Sequence, residues 1–349
     1  MAIADDIALY ALGRWMHESH PTRIDELCLN KVQWKTKCDA CEAACPEGVL
    51  LADDDIDWSA CTNCNRCITA CPTCALNESR AAFDALEVAM GESGGQAVFA
   101  CERYEGPCDV RRTCIATLPW DLLAGVALSG GLVLKLQPCR ECPDAELVEQ
   151  VKETVRRLRA FLGKDVFERI VSMKSPERKS DAGARKRQAF MQVAHTARAE
   201  AEMVMGASDQ VPSMSRYRAY LLDVLEHAED APKLNWEALV EDGDCRACGA
   251  CVAMCPHHAL SLRVGDGKGE PPEEGEALVY DAALCTQCGL CYLSCPEQTL
   301  GGWPRRAATR EGAVIAFPIE VSYCEKCGRP FKPEAGEKRC TSCSRFRYL

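Results

Sequence analysis

Two stretches decide the architecture, CRACGACVAMCP at 245–256 and CTQCGLCYLSCP at 285–296. Both read Cys-x2-Cys-x2-Cys-x3-Cys-Pro. A third copy, CTNCNRCITACP, occupies 61–72, and a shortened one, CDACEAACP, occupies 38–46 with Lys35 where its first cysteine should stand. The copies fall in two pairs, one toward each end of the chain, so the sequence is organised by repeats. The spacing has a chemical reason. A cubane cluster offers iron atoms that each take one soft thiolate, and gaps of two residues turn three successive thiolates toward one centre. The fourth cysteine, expected at a helix start and followed by proline, ligates the other cluster of the pair.

Composition narrows the field further. The chain has 349 residues, 26 of them cysteine, enough length for two or three domains with real cores. Cysteine richness of this order belongs either to short secreted disulfide scaffolds or to metal proteins. MAIADDIALY at the start has no basic region before an apolar stretch and does not read as a signal peptide. The longest apolar run, LLAGVALSGGLVLKL at 122–136, is too short for a bilayer span and is broken by glycines and Lys135. The expectation is a cytoplasmic protein, without direct membrane insertion, whose cysteines bind metal. A net charge of −11 disfavours nucleic acid as the main partner. Residues 151–200 depart from that balance with a local charge of +7, either a solvated helical face or a belt for an acidic neighbour.

Between the motif pairs the texture changes. AVFA (97–100), TCIATL (113–118) and GLVLKL (131–136) have strand length, and PWDLLAGVALSG (119–130) reads as a helix opened by proline. Leu147, Val148, Val151, Val155, Leu158 and Leu162 recur at helical spacing. Alternating strands and helices predict a small parallel α/β domain. KSPERKSDAGARK (174–186) reads as a linker, 187–230 as helical, and GDGKGEPPEEGE (265–276) as a loop.

The three complete motifs resemble those of bacterial two-cluster ferredoxins. In the C-terminal pair the resemblance implies one [4Fe–4S] cluster on Cys245, Cys248, Cys251 and Cys295, and another on Cys285, Cys288, Cys291 and Cys255. HHALSL after Pro256 and ALVYDAAL before Cys285 would supply the covering strands, with His257 and His258 as surface turn residues. The same crossing in the N-terminal pair implies Cys45, Cys61, Cys64 and Cys67 for one cluster. The other keeps Cys38, Cys41 and Cys71 and lacks its usual first ligand, for which Cys28 is the nearby candidate. A three-iron cluster, or a lost site with Cys28 as a small buried hydrophobe, are the alternatives. Cys74 has no ligand role in this scheme.

Five cysteines lie in the α/β region: Cys101, Cys108, Cys114, Cys139 and Cys142. FACERYEGPCDVRRTCIATLPWDLLAGVALSGGLVLKLQPCREC resembles the delta (iron–sulfur) subunit of methyl-viologen-reducing hydrogenases, in its cysteine pair after a strand, its middle cysteine, its helix, and GLVLKL running into a last pair. That resemblance implies a [2Fe–2S] cluster and electron transfer between a hydrogenase or formate dehydrogenase and a heterodisulfide-reductase-type flavoprotein. The pair spacings and the residues after Cys114, Ile115 and Ala116, differ from the family's. A zinc site, or a fold without its cluster, are the other readings.

CEKCGRPFKPEAGEKRCTSC gives Cys324, Cys327, Cys340 and Cys343, two Cys-x2-Cys hairpins with the spacing of a tetrahedral thiolate cage. Zinc is the expected metal and a rubredoxin-like iron the alternative. The tail should fold around the metal and dock on a partner.

Together these readings give a multidomain chain of the α+β and α/β classes. Its parts are an N-terminal two-cluster ferredoxin-like module with a leading helix (1–90), a small parallel α/β domain (91–170), a helical linker (171–235), a second two-cluster module (236–315) and a zinc-ribbon-like knuckle (316–349). The cofactors would be four [4Fe–4S] clusters, a [2Fe–2S] cluster in the central domain and one Zn. No dinucleotide fingerprint, P-loop or nucleophile constellation stands in the sequence. The expected role is therefore an electron-transfer subunit, not itself catalytic, that joins a dehydrogenase, hydrogenase or flavoprotein partner. Two other readings remain: an oxidoreductase using the central cysteines on a thiol, disulfide or sulfur substrate, and an iron–sulfur redox sensor. Arg111, Arg112 and Arg140 beside those cysteines would suit reactive thiolates.

Overall fold

The computed structural model describes residues 20–32, 37–49, 56–92, 96–173, 214–228, 232–238, 245–265, 272–297, 299–300, 308–311, 313–333 and 336–345. The expected leading helix, the linker at 174–186, Lys35 and the centre of the acidic loop lie outside these residues. The chain divides into two compact units at Pro232–Lys233.

In the first unit, a four-stranded sheet runs Val110–Arg112, Ala97–Cys101, Leu132–Lys135, Val171–Ser172, with every neighbouring pair parallel. Numbered along the chain, that order is 2-1-3-4. Leu132, Val133 and Leu134 are fully buried, the continuous apolar run that a strand covered on both faces requires. The expected strand at 113–118 is displaced. Val110–Arg112 forms the strand, and Ile115–Thr117 is a 3-10 turn capped by the Cys114 side chain, which accepts from the Ala116 N–H. The strand stops at Arg112 because the chain must bend there for Cys114 to turn over the sheet's carboxyl edge.

Trp120–Gly130 is the helix expected after Pro119, and Ala145–Leu162 carries the periodic apolar face. The fourth strand, Val171–Ser172, falls in the stretch expected to be a helical linker, and the helix Arg216–Glu226 lies within 187–230, which reads as helical. That helix packs on Trp120–Gly130. Gly125 permits the approach, since a Cβ there would come within 2.7 Å of the Tyr220 ring. A buried Arg218–Asp121 pair at 3.2 Å and the Arg218 guanidinium over Trp120 fasten the contact. The reason it was illegible is physical. Its partners lie about a hundred residues away, and only their pairing makes Asp121 and Arg218 core residues.

The second unit holds an antiparallel sheet ordered Val314–Pro318, Ala277–Asp281, Leu260–Arg263, and a two-stranded pair of Asn235–Ala238 with Ala308–Glu311. The strands expected from HHALSL and ALVYDAAL are the last two of the three. The third strand crosses the expected boundary at 315 and ends at Pro318. A small hairpin, Ser322–Tyr323 with Pro330–Phe331, begins the tail. Among the described residues no helix is long and apolar enough to cross a membrane.

Candidate metal centres

The cysteine loops share one local conformation. The second residue after each first cysteine is left-handed: Asn63 (φ 56°), Ala247 (φ 52°) and Gln287 (φ 63°). So is the fourth: Asn65 (φ 61°), Gly249 (φ 72°) and Gly289 (φ 80°). These turns aim N–H groups at sulfur, from Asn63 to Cys61 Sγ, Ala247 to Cys245 Sγ and Gln287 to Cys285 Sγ, at 3.3–3.4 Å. Short helices Arg66–Ala70, Ala250–Met254 and Leu290–Ser294 follow, each ending at the motif's last cysteine. The fourth cysteine therefore caps a helix C-terminus rather than opening a helix as expected. Beyond it the chain turns again through Gly48, Cys74 or His258, all with positive φ, so that Val49, Ala75 and Ala259 donate back to Cys45, Cys71 and Cys255.

This geometry explains Cys74 and corrects the histidines. Cys74 occupies a turn position, and burial pushes its thiol up to about 12, with Asp121 adding to the rise. His258 holds the equivalent turn and is exposed, but His257 is 3% exposed and belongs to the core.

The expected crossed sets come together in space. Cys245, Cys248, Cys251 and Cys295 line one small pocket of about 20 Å³. Burial first, and then Cys245 and Cys248, push the Cys251 thiol up to about 12. Cys288 is pushed up to about 11 by burial and by neighbouring Cys285, Cys291 and Cys255. In the first unit, Cys67 is pushed up to about 12 by burial and by Cys64, Cys41, Cys61 and Cys45. Cys28, Cys38, Cys41 and Cys71 line a second pocket of about 20 Å³.

Cys28 reaches that pocket through two devices. It ends a 3-10 turn, Asp25–Leu27, with φ −73° and ψ 123°, while Cys61 ends the turn Trp58–Ala60 with φ −72° and ψ 122°. The local conformation of a first motif cysteine is thus reproduced ten residues upstream of Cys38. Asn30 then closes the gap, its Nδ2 donating to the Cys38 carbonyl at 2.7 Å and its Oδ1 accepting from the Cys38 N–H at 2.8 Å. Sequence reasoning did not single out Asn30. Its only signal was a polar amide two residues after the candidate cysteine.

Cys101, Cys114, Cys139 and Cys142 surround a larger cavity of about 390 Å³, whose walls include Leu147, Val148 and Val151. Cys101 ends one strand and Cys114 follows the next, while Cys139 lies within the 3-10 turn Gln137–Glu141 after Leu132–Lys135 and Cys142 caps that turn. The cavity therefore lies at the carboxyl edge of the parallel sheet. There the 2-1-3-4 order reverses, the usual ligand position in open α/β sheets. Cys108 is not among its lining residues, and of the three arginines considered beside the cysteines none is; Arg66 and Arg103 line it instead. Cys139 is raised by burial and by Cys114, Cys101 and Cys142.

In the tail, the sulfurs of Cys324, Cys327, Cys340 and Cys343 lie within 4.8 Å of one another. Backbone N–H groups of Cys340, Cys327 and Lys326 pull Cys324 down to about 6. The tail also touches its own unit. The Lys332 N–H donates to the Arg246 carbonyl at 3.2 Å, and Tyr323 Oη donates to Glu276 at 2.8 Å. These contacts hold the tail to the ferredoxin-type module of its own unit.

The donor chemistry fits soft metal ions. All 26 cysteines are free thiols, so none is committed to a disulfide. Crowded, half-buried thiols raise one another's pKa, and a thiophilic cation relieves that cost by taking them as thiolates. Residues 244–299 match the family model described as 4Fe-4S dicluster domain. No curated protein matches the chain, and no solved structure does. The chain contains a ferredoxin-type domain that binds [4Fe–4S] clusters in an electron-transfer role.

Proposed function

We propose that this chain is a multi-cluster wiring subunit that relays single electrons between partner enzymes of a larger redox complex. The observation that carries the reading is the collection of four separate cysteine quartets, two in each unit and three of them built on complete Cys-x2-Cys-x2-Cys loops, beside a fifth quartet at the sheet edge. Four would hold [4Fe–4S] clusters: Cys28, Cys38, Cys41, Cys71; Cys45, Cys61, Cys64, Cys67; Cys245, Cys248, Cys251, Cys295; and Cys255, Cys285, Cys288, Cys291. The resemblance to hydrogenase delta subunits assigns a [2Fe–2S] cluster to Cys101, Cys114, Cys139 and Cys142, and the tail cage suits one Zn. Such clusters supply one-electron couples at potentials set by burial and by hydrogen bonds to sulfur. The chain's own contribution is to aim the N–H groups of Asn63, Ala247 and Gln287 at thiolates and to bury Cys67, Cys251 and Cys291. Hydrogenases, formate dehydrogenases and heterodisulfide-reductase-type flavoproteins are the partners this reading names.

The competing reading takes the central cysteines as a catalytic site for a thiol or sulfur compound. The size of the 390 Å³ cavity favours it, because the pocket lined by Cys245, Cys248, Cys251 and Cys295 is only about 20 Å³. One experiment separates the two. Isolated protein should take electrons from dithionite and return them to an artificial acceptor while leaving disulfides and sulfur compounds unchanged. Turnover of a disulfide without any partner would establish the rival.

A further inference from the structure

The two residues between Cys64 and Cys67 are not spent on their own loop. Asn65 Nδ2 donates to Glu78 Oε1 at 2.9 Å, and Glu78, 3% exposed, forms a two-pronged ion pair with Arg112 at 2.6 and 3.1 Å. Arg112 ends its strand two residues before Cys114. Arg66 Nη2 donates to Asp144 Oδ2 at 2.9 Å, and Asp144 caps the helix Ala145–Leu162 two residues beyond Cys142. Arg66 also lines the four-cysteine cavity. The helix that begins with Arg66 and Cys67 packs on the turn Ile115–Thr117 beside Cys114. None of the residues lining the other N-terminal quartet's pocket comes from the sheet domain at 96–172.

We infer that the Cys45, Cys61, Cys64, Cys67 site is the one through which the N-terminal module exchanges electrons with the central four-cysteine site, with Asn65 and Arg66 as the positioning residues of that junction. The inference rests on the cluster assignments proposed above. One electron leaves one site and arrives at the other, with no bond made or broken, and a low-potential reductant such as dithionite supplies it in the test. A guanidinium at the junction favours the more negative, reduced state of both flanking sites, partly offset by its Asp144 partner.

The test uses full-length, anaerobically loaded protein, with iron counted before any spectrum is taken. In the reduced protein, the EPR signal of the central site should be broadened by a neighbouring spin. Cys64→Ser should remove that broadening, and Cys38→Ser should leave it. Arg66→Gln, with iron content unchanged, should lower the midpoint potentials of these two sites alone, and Arg66→Lys should restore part of the shift. Broadening that survives Cys64→Ser and vanishes in Cys38→Ser would overturn the inference. So would unmoved potentials in iron-replete Arg66→Gln, a variant that decides the matter even if Cys64→Ser fails to fold. Iron that accounts only for the cubane sites would remove the central assignment itself, and the count distinguishes that failure from a wrong junction.

Discussion

The N-terminal cysteine loops and the C-terminal domain reach the same geometry from different sequences. In the C-terminal loops the fourth residue after each first cysteine is glycine, Gly249 or Gly289, which adopts positive φ at no steric cost. At the matching N-terminal place stands Asn65, which tolerates that conformation and adds a hydrogen bond to Glu78. The C-terminal motifs carry all their cysteines at standard spacing. The N-terminal pair borrows one from a 3-10 turn upstream and bridges the interval with Asn30. The family model matches only the first arrangement, 244–299. A spacing pattern is one route to a quartet of thiols, and folding a distant cysteine to the same place is another.

The sharpest way to break this equivalence is to remove one thiol from each side. Cys251→Ser and Cys28→Ser should each lose about four iron atoms, one cubane's worth. Restoring standard spacing with Lys35→Cys in the Cys28→Ser background should bring the N-terminal iron back. Iron analysis with EPR of the reduced proteins checks all three. Full iron in Cys28→Ser would end the claim that the borrowed cysteine matters.

A second contrast concerns the tail, for which the described N-terminal residues have no counterpart. If the cage holds zinc as proposed, Cys340→Ser should release it and unfold the knuckle, since a zinc site of this kind supplies about 10–16 kcal/mol of apparent folding free energy. Total iron should stay at the wild-type level, while amide exchange speeds up at Lys332, whose N–H is held by Arg246. A parallel fall in iron would show that the four tail cysteines carry iron instead.

The legible parts of this chain were those written as local repeats. Spacing picked out the three complete cysteine loops, because thiolate geometry constrains residues only two or three apart. Helix periodicity found Trp120–Gly130 and Ala145–Leu162 for the same reason. The grouping of Cys71 and Cys295 with the opposite loops followed from the ferredoxin resemblance, and Cys28 had no spacing to mark it. The misread strand at 113–118 was apolar enough, but Cys114 had to leave the sheet to face Cys101 and Cys139, a demand invisible in the strand's own composition. Glu78 escaped notice entirely. An acidic residue after a motif reads as surface, and it becomes a buried hub only when Arg112, Tyr217 and Asn65 converge on it from three segments.

That hub gives a smaller effect confined to the N-terminal unit. Glu78→Ala leaves the half-buried Arg112 without its carboxylate, and Asn65 and Tyr217 without their acceptor, and should destabilise the first unit by about 2–3 kcal/mol. Glu78→Gln should cost less, because the amide can still meet Asn65 and Tyr217. Hydrogen exchange in Ala97–Cys101 and Trp120–Gly130 would report it, with Ala277–Asp281 as the unaffected control. Equal loosening of Ala277–Asp281 would mean that the hub stabilises the whole chain.

The smallest effect tests the glycine–asparagine exchange itself. At Gly249 a Cβ would meet Leu262 Cδ1 at 3.7 Å, an ordinary contact, so only the backbone angle penalises a side chain there. Gly249→Ala should therefore cost about 1–2 kcal/mol, the price of left-handed backbone for an ordinary residue, and Gly249→Asn should cost less. The reciprocal change separates conformation from hydrogen bonding at the other end. If Asn65 were chosen only for its φ of 61°, Asn65→Gly would be neutral. Because its amide also binds Glu78, the glycine variant should lose about 0.5–1.5 kcal/mol. Chemical denaturation of the iron-loaded proteins measures all three. A neutral Asn65→Gly would reduce Asn65 to a substitute for glycine, and the tie between the Cys61 loop and the central domain would then rest on the Arg66–Asp144 pair and on the packing of Arg66–Ala70 against Ile115–Thr117.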